Sequence, residues 1–534
     1  MLRIDHIKLP PGTPEGALRR QAANILHVPE GQIKSLRIVR RSVDAREEVS
    51  LVYSIHVAVE NEGRVLRRVR GGRVTQVVRQ RYHPPGPVPA PELAPVVVGA
   101  GPAGLFCALI LAQAGAKPIL LERGQPVEQR QQDVEAFWRT GILNPASNVQ
   151  FGEGGAGAFS DGKLNTGTRD LCHRWILGKL VEFGVPDSIL IDAHPHAGTD
   201  MLHAALKAMR QELLRLGAEI RFGHQLVDLT VRDGRLSALT VSGPAGEYVL
   251  PARQVVLALG HSARDTVEML HSRGVPMEAK PFAVGVRIEH RQRDMDAAQY
   301  GKYAGHPCLP VSSYKLSCHL EGGRSVFSFC VCPGGQVVAA ASEEGRTVTN
   351  GMSYYARDGE NINGGLLVNV TPADFPDGVL GGIAFQRQLE AAAFSLGGGG
   401  FRAPAQRVED FLARRPSAGP GTVVPTYRPG VTWTDLHRCL PDFLCTALEQ
   451  ALPILGRRVR GFDGPDAVLT AVESRSSSPV RILRGEDRQS PAIRGLYPCG
   501  EGAGFAGGIL SAAADGIHTA EAMLAHMAAP AHPL

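Results

Sequence analysis

The chain has 534 residues, 43% hydrophobic and 20% charged, with 62 Gly, 38 Pro and a formal net charge of +5. That composition excludes a coiled coil, a collagen-like fibre and a disordered tail protein. The length allows about three or four domains whose cores need neither disulfide nor metal. The charge is uneven: residues 1–90 hold 16 Lys/Arg against 8 Asp/Glu, clustered at Arg37, Arg40, Arg41 and at Arg64, Arg67, Arg68, Arg70, Arg73. Such a surface suits nucleic acid or another acidic partner; equally, it is the solvated face of a chain that prefers Arg to Lys. No RNP-type aromatic pair accompanies it.

Residues 1–82 read as a small basic α/β unit. Leu2–Leu9 alternates like a strand, residues 13–27 carry a helical pattern, and residues 33–41 and 49–59 look like two further strands. A stiff proline-rich linker follows at 83–94. From residue 95 the pattern changes to strand, helix, strand: an apolar run at 95–99, a helix at 102–114 and a second strand ending at Glu122. Gly99, Gly101 and Gly104 stand at the first turn in G-x-G-x-x-G spacing. The first glycine permits the tight turn, the second lets backbone approach a pyrophosphate, and the third allows helix and strand to pack closely. The helix N-terminus adds a positive dipole end. Glu122 stands where a carboxylate accepts ribose hydroxyls and repels a 2′-phosphate. Gly152 to Gly157 and Gly502 to Gly507 match the same bare pattern without that context.

Further on, a helix from Gly198, a strand at 217–222, a meander at 225–250 and the apolar run 254–260 ending in Gly260 are expected. None of the nine cysteines forms a C-x-x-C pair, and no metal-binding cluster or P-loop is legible. Cys330 and Cys332 are expected to share one face of an extended strand as two small buried hydrophobes. The opening residues carry no apolar core of signal-peptide length, and the longest apolar tract is broken by Gly99, Gly101, Pro102 and Gly104. No membrane insertion and a reducing, cytoplasmic setting are therefore expected.

The elements from 198 to 260 resemble the FAD-binding domain of glutathione-reductase-like flavoproteins. The run Gly495 to Gly508, followed by an Ala-rich helix from Ile509, resembles the second flavin motif of fumarate reductase and L-aspartate oxidase. The glycine-rich loop from Asn148 to Leu164, with Ser328 to Gly335 and Glu473 to Ile482, resembles a family of bacterial FAD-dependent dehydrogenases over nearly the whole chain. The resemblance implies FAD, met by Gly99, Gly101, Pro102, Ala103, Gly104, Glu122, Arg123, Gly154, Gly155, Val227, Gly260, Gly500, Glu501, Gly508 and Ile509. It carries no substrate. Residues 123–171 contain no cysteine, which excludes the C-x-x-x-x-C dithiol of the disulfide reductases.

The expected architecture is α/β: a Rossmann-like FAD-binding domain (95–278 and 471–534) split by an inserted α/β substrate domain (279–470), with the small α/β domain in front. Arg287, Tyr314, Lys315, Arg475 and Ser476 are candidates for the substrate pocket, the arginines as bidentate clamps for an acidic substrate. His261, at a strand end, is more naturally structural than catalytic, and no catalytic acid or base is assigned. The expected function is FAD-dependent oxidoreduction, with hydride moving between flavin N5 and a small-molecule substrate or electron acceptor. NAD(P)H would bind only transiently, since no second dinucleotide fold is visible. A flavin-dependent RNA-modifying enzyme using the basic domain, and a non-enzymatic redox-sensing flavoprotein, stand as alternatives.

Overall fold

The structure, a computed structural model, describes residues 1–528 except 15, 70, 71 and 79, so Arg70 of the basic cluster lies outside the described residues. The N-terminal unit is an antiparallel sheet in the order Ile33–Asp44, Ser50–Val59, Leu2–Leu9, Val74–Gln76. Alternating apolar residues of its strands pack under helix Gly16–Leu26, around Ile4, Ile7, Leu18, Leu26, Ile55 and Val57. The strand from Ile33 runs three residues past its expected end at residue 41. Pairing continues through Val43 with Leu51 and Asp44 with Ser50.

The second unit is built on five parallel strands ordered Leu496–Pro498, Val255–Leu257, Val96–Val98, Ile119–Glu122, Glu219–Phe222. Parallel strands covered on both faces must be apolar throughout, and Val96, Val97, Val255, Val256 and Leu257 are all buried. One face carries helices Pro102–Gln113, Cys172–Glu182, Gly198–Arg215 and Ile509–Ala528. The antiparallel meander Gln225–Arg232, Arg235–Gly243, Gly246–Pro251 covers the other. Helix Pro102–Gln113 has no polar face because the sheet and the last helix enclose it. Gly516 allows that crossing, since a Cβ there would lie 2.1 Å from the Ala103 carbonyl oxygen.

The inserted unit centres on a seven-stranded sheet ordered Ser317–His319, Ser325–Cys332, Asn361–Val370, Phe282–Arg291, Val468–Glu473, Ala403–Arg407, Val431–Trp433. Strand Val468–Glu473 sits inside this sheet, so the unit extends past residue 470 where the sequence reading ended it. The chain then returns to the parallel sheet through the short pair Met277–Ala279 and Val480–Ile482. The proline-rich linker is held against the second unit: Val88 donates to the Ala114 carbonyl at 2.9 Å, and the Tyr82 hydroxyl donates to Glu521 at 2.7 Å. Arg41 docks the N-terminal unit by backbone bonds with Ile191 and Ala193 and by an ion pair to Asp192 at 2.9 Å.

Candidate cofactor cavity and its facing wall

A cavity of about 2130 Å³ lies where the three units meet. Ordinary ligand pockets measure about 300–1,000 Å³, so this one has room for a dinucleotide and a second molecule. One side is backbone. Gly99 turns at φ +105°, and a Cβ there would meet the Ala258 carbonyl oxygen at 2.3 Å; at Gly104 a Cβ would lie 1.8 Å from the Gly99 oxygen. Both glycines serve packing, and only Gly99 of the two lines the cavity. Gly101 stands at φ −77° on the cavity lining, and a Cβ there would have only the Gly155 Cα near it, at 3.9 Å. Behind it opens the N-terminus of helix Pro102–Gln113, and at the far end lie Gly508 and Ile509 at the start of the last helix. Two helix N-termini with glycine approaches form a cradle for an anionic, phosphate-bearing cofactor.

Comparison with known proteins identifies the group that fits this cradle. A model described as an FAD binding domain matches residues 95–161, and one described as an FAD-dependent protein, C-terminal domain-like, matches residues 281–476. A domain of unknown function matches residues 1–60. An uncharacterized protein of Clostridium beijerinckii is 44% identical over 525 residues, 97% of this chain and 98% of its own. The chain belongs to the family of FAD-dependent proteins. Among solved structures, E. coli quinol fumarate reductase FrdA overlays at TM-score 0.39 with 14% identity, covering 83% of this chain and 71% of that one. The 3-ketosteroid-delta4-(5alpha)-dehydrogenase of Rhodococcus jostii overlays at TM-score 0.35 with 13% identity, covering 82% and 97%.

In this FAD-dependent protein Pro102, Ala103, Arg123, Gly155, Gly260, Glu501, Gly508 and Ile509 also line the cavity, as expected cofactor contacts would. Arg123 stacks over Phe151, 4.2 Å from the ring centroid, while pairing with Asp265 at 2.8 Å. Glu122 lines the cavity with most of its capacity already used. Its carboxylate accepts from the amides of Ala100, Gly124 and Gly152 at 2.8, 2.9 and 3.0 Å. An ionised carboxylate has about four acceptor positions, so one is left for a ribose hydroxyl. Besides Gly104, three further expected contacts lie elsewhere. Gly154 faces Leu206; Gly500 presses on Ala103, and its amide donates to Asp515 at 2.8 Å; and Leu226, not Val227, borders the cavity, because a bulge in strand Gln225–Arg232 turns the pleat between Leu226 and Asp228.

The facing wall comes from the inserted unit and departs from the expected arginine clamp. Arg287 is fully buried outside the cavity lining. It donates to the Cys330 carbonyl at 2.8 Å, Asn350 at 3.0 Å, Asn363 at 3.1 Å and Glu473 at 3.0 Å. Arg475 lines the cavity, but its guanidinium is committed to Glu390 by two 3.0 Å bonds and to Ser342 at 2.6 Å. Arg264 grips the same Glu390 from the other side at 2.7 and 2.9 Å. Burial alone would raise the Glu390 carboxyl; the two guanidinium groups instead hold it well below the usual range. Ser476 donates to the Ala283 carbonyl, and the Tyr314 hydroxyl is buried without a partner among core rings. Of the five substrate candidates, only Lys315 offers an unpaired charge to the cavity.

Several further side chains, from the inserted unit and from the second unit beside it, line the cavity. Lys163 and Arg357 both pair with the buried Asp161, at 3.3 Å and through two guanidinium nitrogens respectively. Glu473 is buried beside Arg287, and burial pushes its carboxyl up to about 7. His261 lines the cavity with Nδ1 3.6 Å from Glu501 and with Nε2 unpartnered. His196 stacks on Tyr355 and meets its carbonyl oxygen at 3.1 Å. The signal for Asp161, Lys163 and Glu473 was present in the motif strings; their convergence was not.

Cys330 and Cys332 do not share a strand face. The register shifts between Phe329 and Cys332, and Cys330 takes φ +41°, so Cys330 is half-buried at the cavity while Cys332 is buried behind it. Asp170, Cys172 and His518 come within metal-ligand reach of one another, their ligand atoms lying within 4.8 Å, a grouping invisible from spacing across 346 residues. His518 there bridges Asp170 at 2.6 Å and Glu521 at 2.8 Å as an ion pair. Among the described residues no helix is long and apolar enough to cross a membrane.

Proposed function

We propose that this FAD-dependent protein is an oxidoreductase whose substrate is a small anionic molecule bound between the flavin cradle and the facing wall. FAD, when bound, supplies hydride exchange at its N5. The observation that carries the reading is that one cavity holds both the glycine cradle and a set of cations from all three units, Arg40, Lys163, Lys315 and Arg357, with His194 among them. Arg40, His194 and Lys315 have no carboxylate partner among the described residues. Burial first, then the nearby Arg40, Lys315, Arg357 and Lys163, lowers the His194 imidazole from its ordinary value, so this ring is neutral among the cations. Cations left unpaired in a concave site favour an anionic ligand and raise its rate of encounter. Asp161 fixes Lys163 and Arg357 in place, leaving Arg40 and Lys315 free to close on the ligand.

The test is the visible spectrum of the purified protein, followed by anaerobic NADH or NADPH and then small carboxylates and phosphates against neutral analogues. Flavin bands that bleach with a nucleotide and recover with an anionic acceptor support the reading. Equal response to neutral and anionic compounds, unchanged in an Arg40→Glu/Lys315→Glu variant, removes the anionic substrate. A colourless protein that cannot be reconstituted removes the flavin reading itself.

A further inference from the structure

We propose that Cys330 and Cys332 form a redox-active dithiol opening on the cofactor cavity, a site for small disulfides or equivalent two-electron thiol oxidants. The inference goes beyond the flavin reading and uses the cavity only as its access route. The geometry begins with the bulge. A regular strand would put both side chains on one face; here the left-handed backbone at Cys330 breaks that alternation, and of the two only Cys330 lines the cavity. Holding a non-glycine residue in that region costs backbone strain, and such outliers gather at working sites. The Arg287 bond to the Cys330 carbonyl at 2.8 Å fixes the turn, and the Lys163 ammonium is bonded to the next carbonyl, that of Val331.

The charged groups around the pair come from four elements: Lys163 and Asp161 from the glycine-rich loop, Arg287, Glu473, and Cys332 on the same strand. The Cys332 thiol donates to the Cys330 carbonyl oxygen at 3.3 Å, which holds the two residues together. The neighbouring Cys332 side chain, against the opposing effect of burial and together with Lys163 and Arg287, brings Cys330 well below an ordinary thiol, while Cys332 is raised. Asp161 acts in the opposite sense, but its charge is shared with Lys163 and Arg357. The result is one sulfur that attacks and one that keeps its proton until needed.

The chemistry balances. The Cys330 thiolate attacks one sulfur of a disulfide, forming a mixed disulfide and expelling the other half as a thiolate, which takes a proton. Cys332 then loses its proton and attacks Cys330. The Cys330–Cys332 bond forms, the second half leaves, and it takes the Cys332 proton. One disulfide is reduced to two thiols as two protein thiols are oxidised to one disulfide.

The experiment is run on flavin-loaded and flavin-free protein in parallel, so that loss of flavin binding and failure of the dithiol are distinguishable. First, iodoacetamide labelling is followed residue by residue against pH. Cys330 should label at pH 6 at least about tenfold faster than the exposed Cys308, and Lys163→Met should reduce that advantage. Second, oxidised glutathione should yield a peptide two hydrogens lighter that joins Cys330 to Cys332, whereas Cys332→Ser should stop at the glutathione adduct on Cys330. Labelling of Cys330 no faster than Cys308, or oxidation that stops at an adduct in the wild type, overturns the proposal.

Discussion

The two sides of the cavity are made differently. The cradle is backbone: Gly99, Gly101 and Gly155 act by what they lack, and their glycine spacing is legible even though Gly99 meets Ala258 and Gly101 meets Gly155 across the fold. The facing wall is side chain, assembled from Arg264, Glu390, Glu473 and Arg475, with pairs such as Arg264–Glu390 separated by 126 residues. Changes to the wall should therefore act first on stability, through buried charge, and changes to the cradle first on cofactor affinity.

The largest effect should come from Glu390→Ala. It leaves Arg264 and Arg475 buried, adjacent and without their shared carboxylate, with only Glu343 at 3.2 Å from Arg264 in partial compensation. Breaking such a buried cluster costs about 3–5 kcal/mol. Urea unfolding should show that loss; a change below about 1 kcal/mol would mean that water enters the cluster and the wall is softer than its geometry.

Next is the pH response of Glu473. Arg287 lies beside it, but Oε2 has no aligned hydrogen bond, and burial dominates, raising the carboxyl to about 7 from the ordinary 4.5. A raised folded value means that the group's contribution is complete below pH 4.5 and is lost as pH rises through about 7. At 1.36 kcal/mol per unit, Glu473→Gln should gain about 3 kcal/mol on the wild type between those limits and then level off. Glu153, also raised to about 7 by burial, has the same sign in both proteins, so the difference between them isolates Glu473. A Gln variant that falls behind the wild type as pH rises would show that the Arg287 pair outweighs burial.

The same division explains what was legible in the sequence. Strand Leu2–Leu9, the Gly99 turn, the helix from Pro102, and the last helix from Ile509 announce themselves by period and glycine spacing, which are local properties. The arginine clamp did not survive because a guanidinium's partner is not local. Glu390 claims Arg475 from 85 residues away, and Glu473 claims Arg287 from 186. Cys330 was read as a strand residue because a bulge has no sequence signature here beyond the Pro333-Gly334-Gly335 that follows. The N-terminal unit's charge was visible, but not that Arg41 would anchor the unit and Arg40 face the cavity.

The smallest expected effect on stability, and the cleanest on function, is Gly101→Ala. The residue sits at φ −77°, which alanine adopts without strain, and a Cβ would meet nothing nearer than the Gly155 Cα at 3.9 Å. Replacing this glycine should leave unfolding within about 0.5 kcal/mol of wild type. The new methyl nevertheless adds bulk on the cavity lining at the N-terminus of helix Pro102–Gln113, where a pyrophosphate must approach the backbone closely. FAD affinity should fall about tenfold or more, a loss of about 1.4 kcal/mol, measured by flavin fluorescence on reconstitution. Gly104→Ala is the contrast: its Cβ would lie 1.8 Å from the Gly99 oxygen, so it should lose both stability and flavin. If Gly101→Ala kept its affinity, the phosphate cradle would have to lie at the other helix N-terminus, beside Gly508 and Ile509.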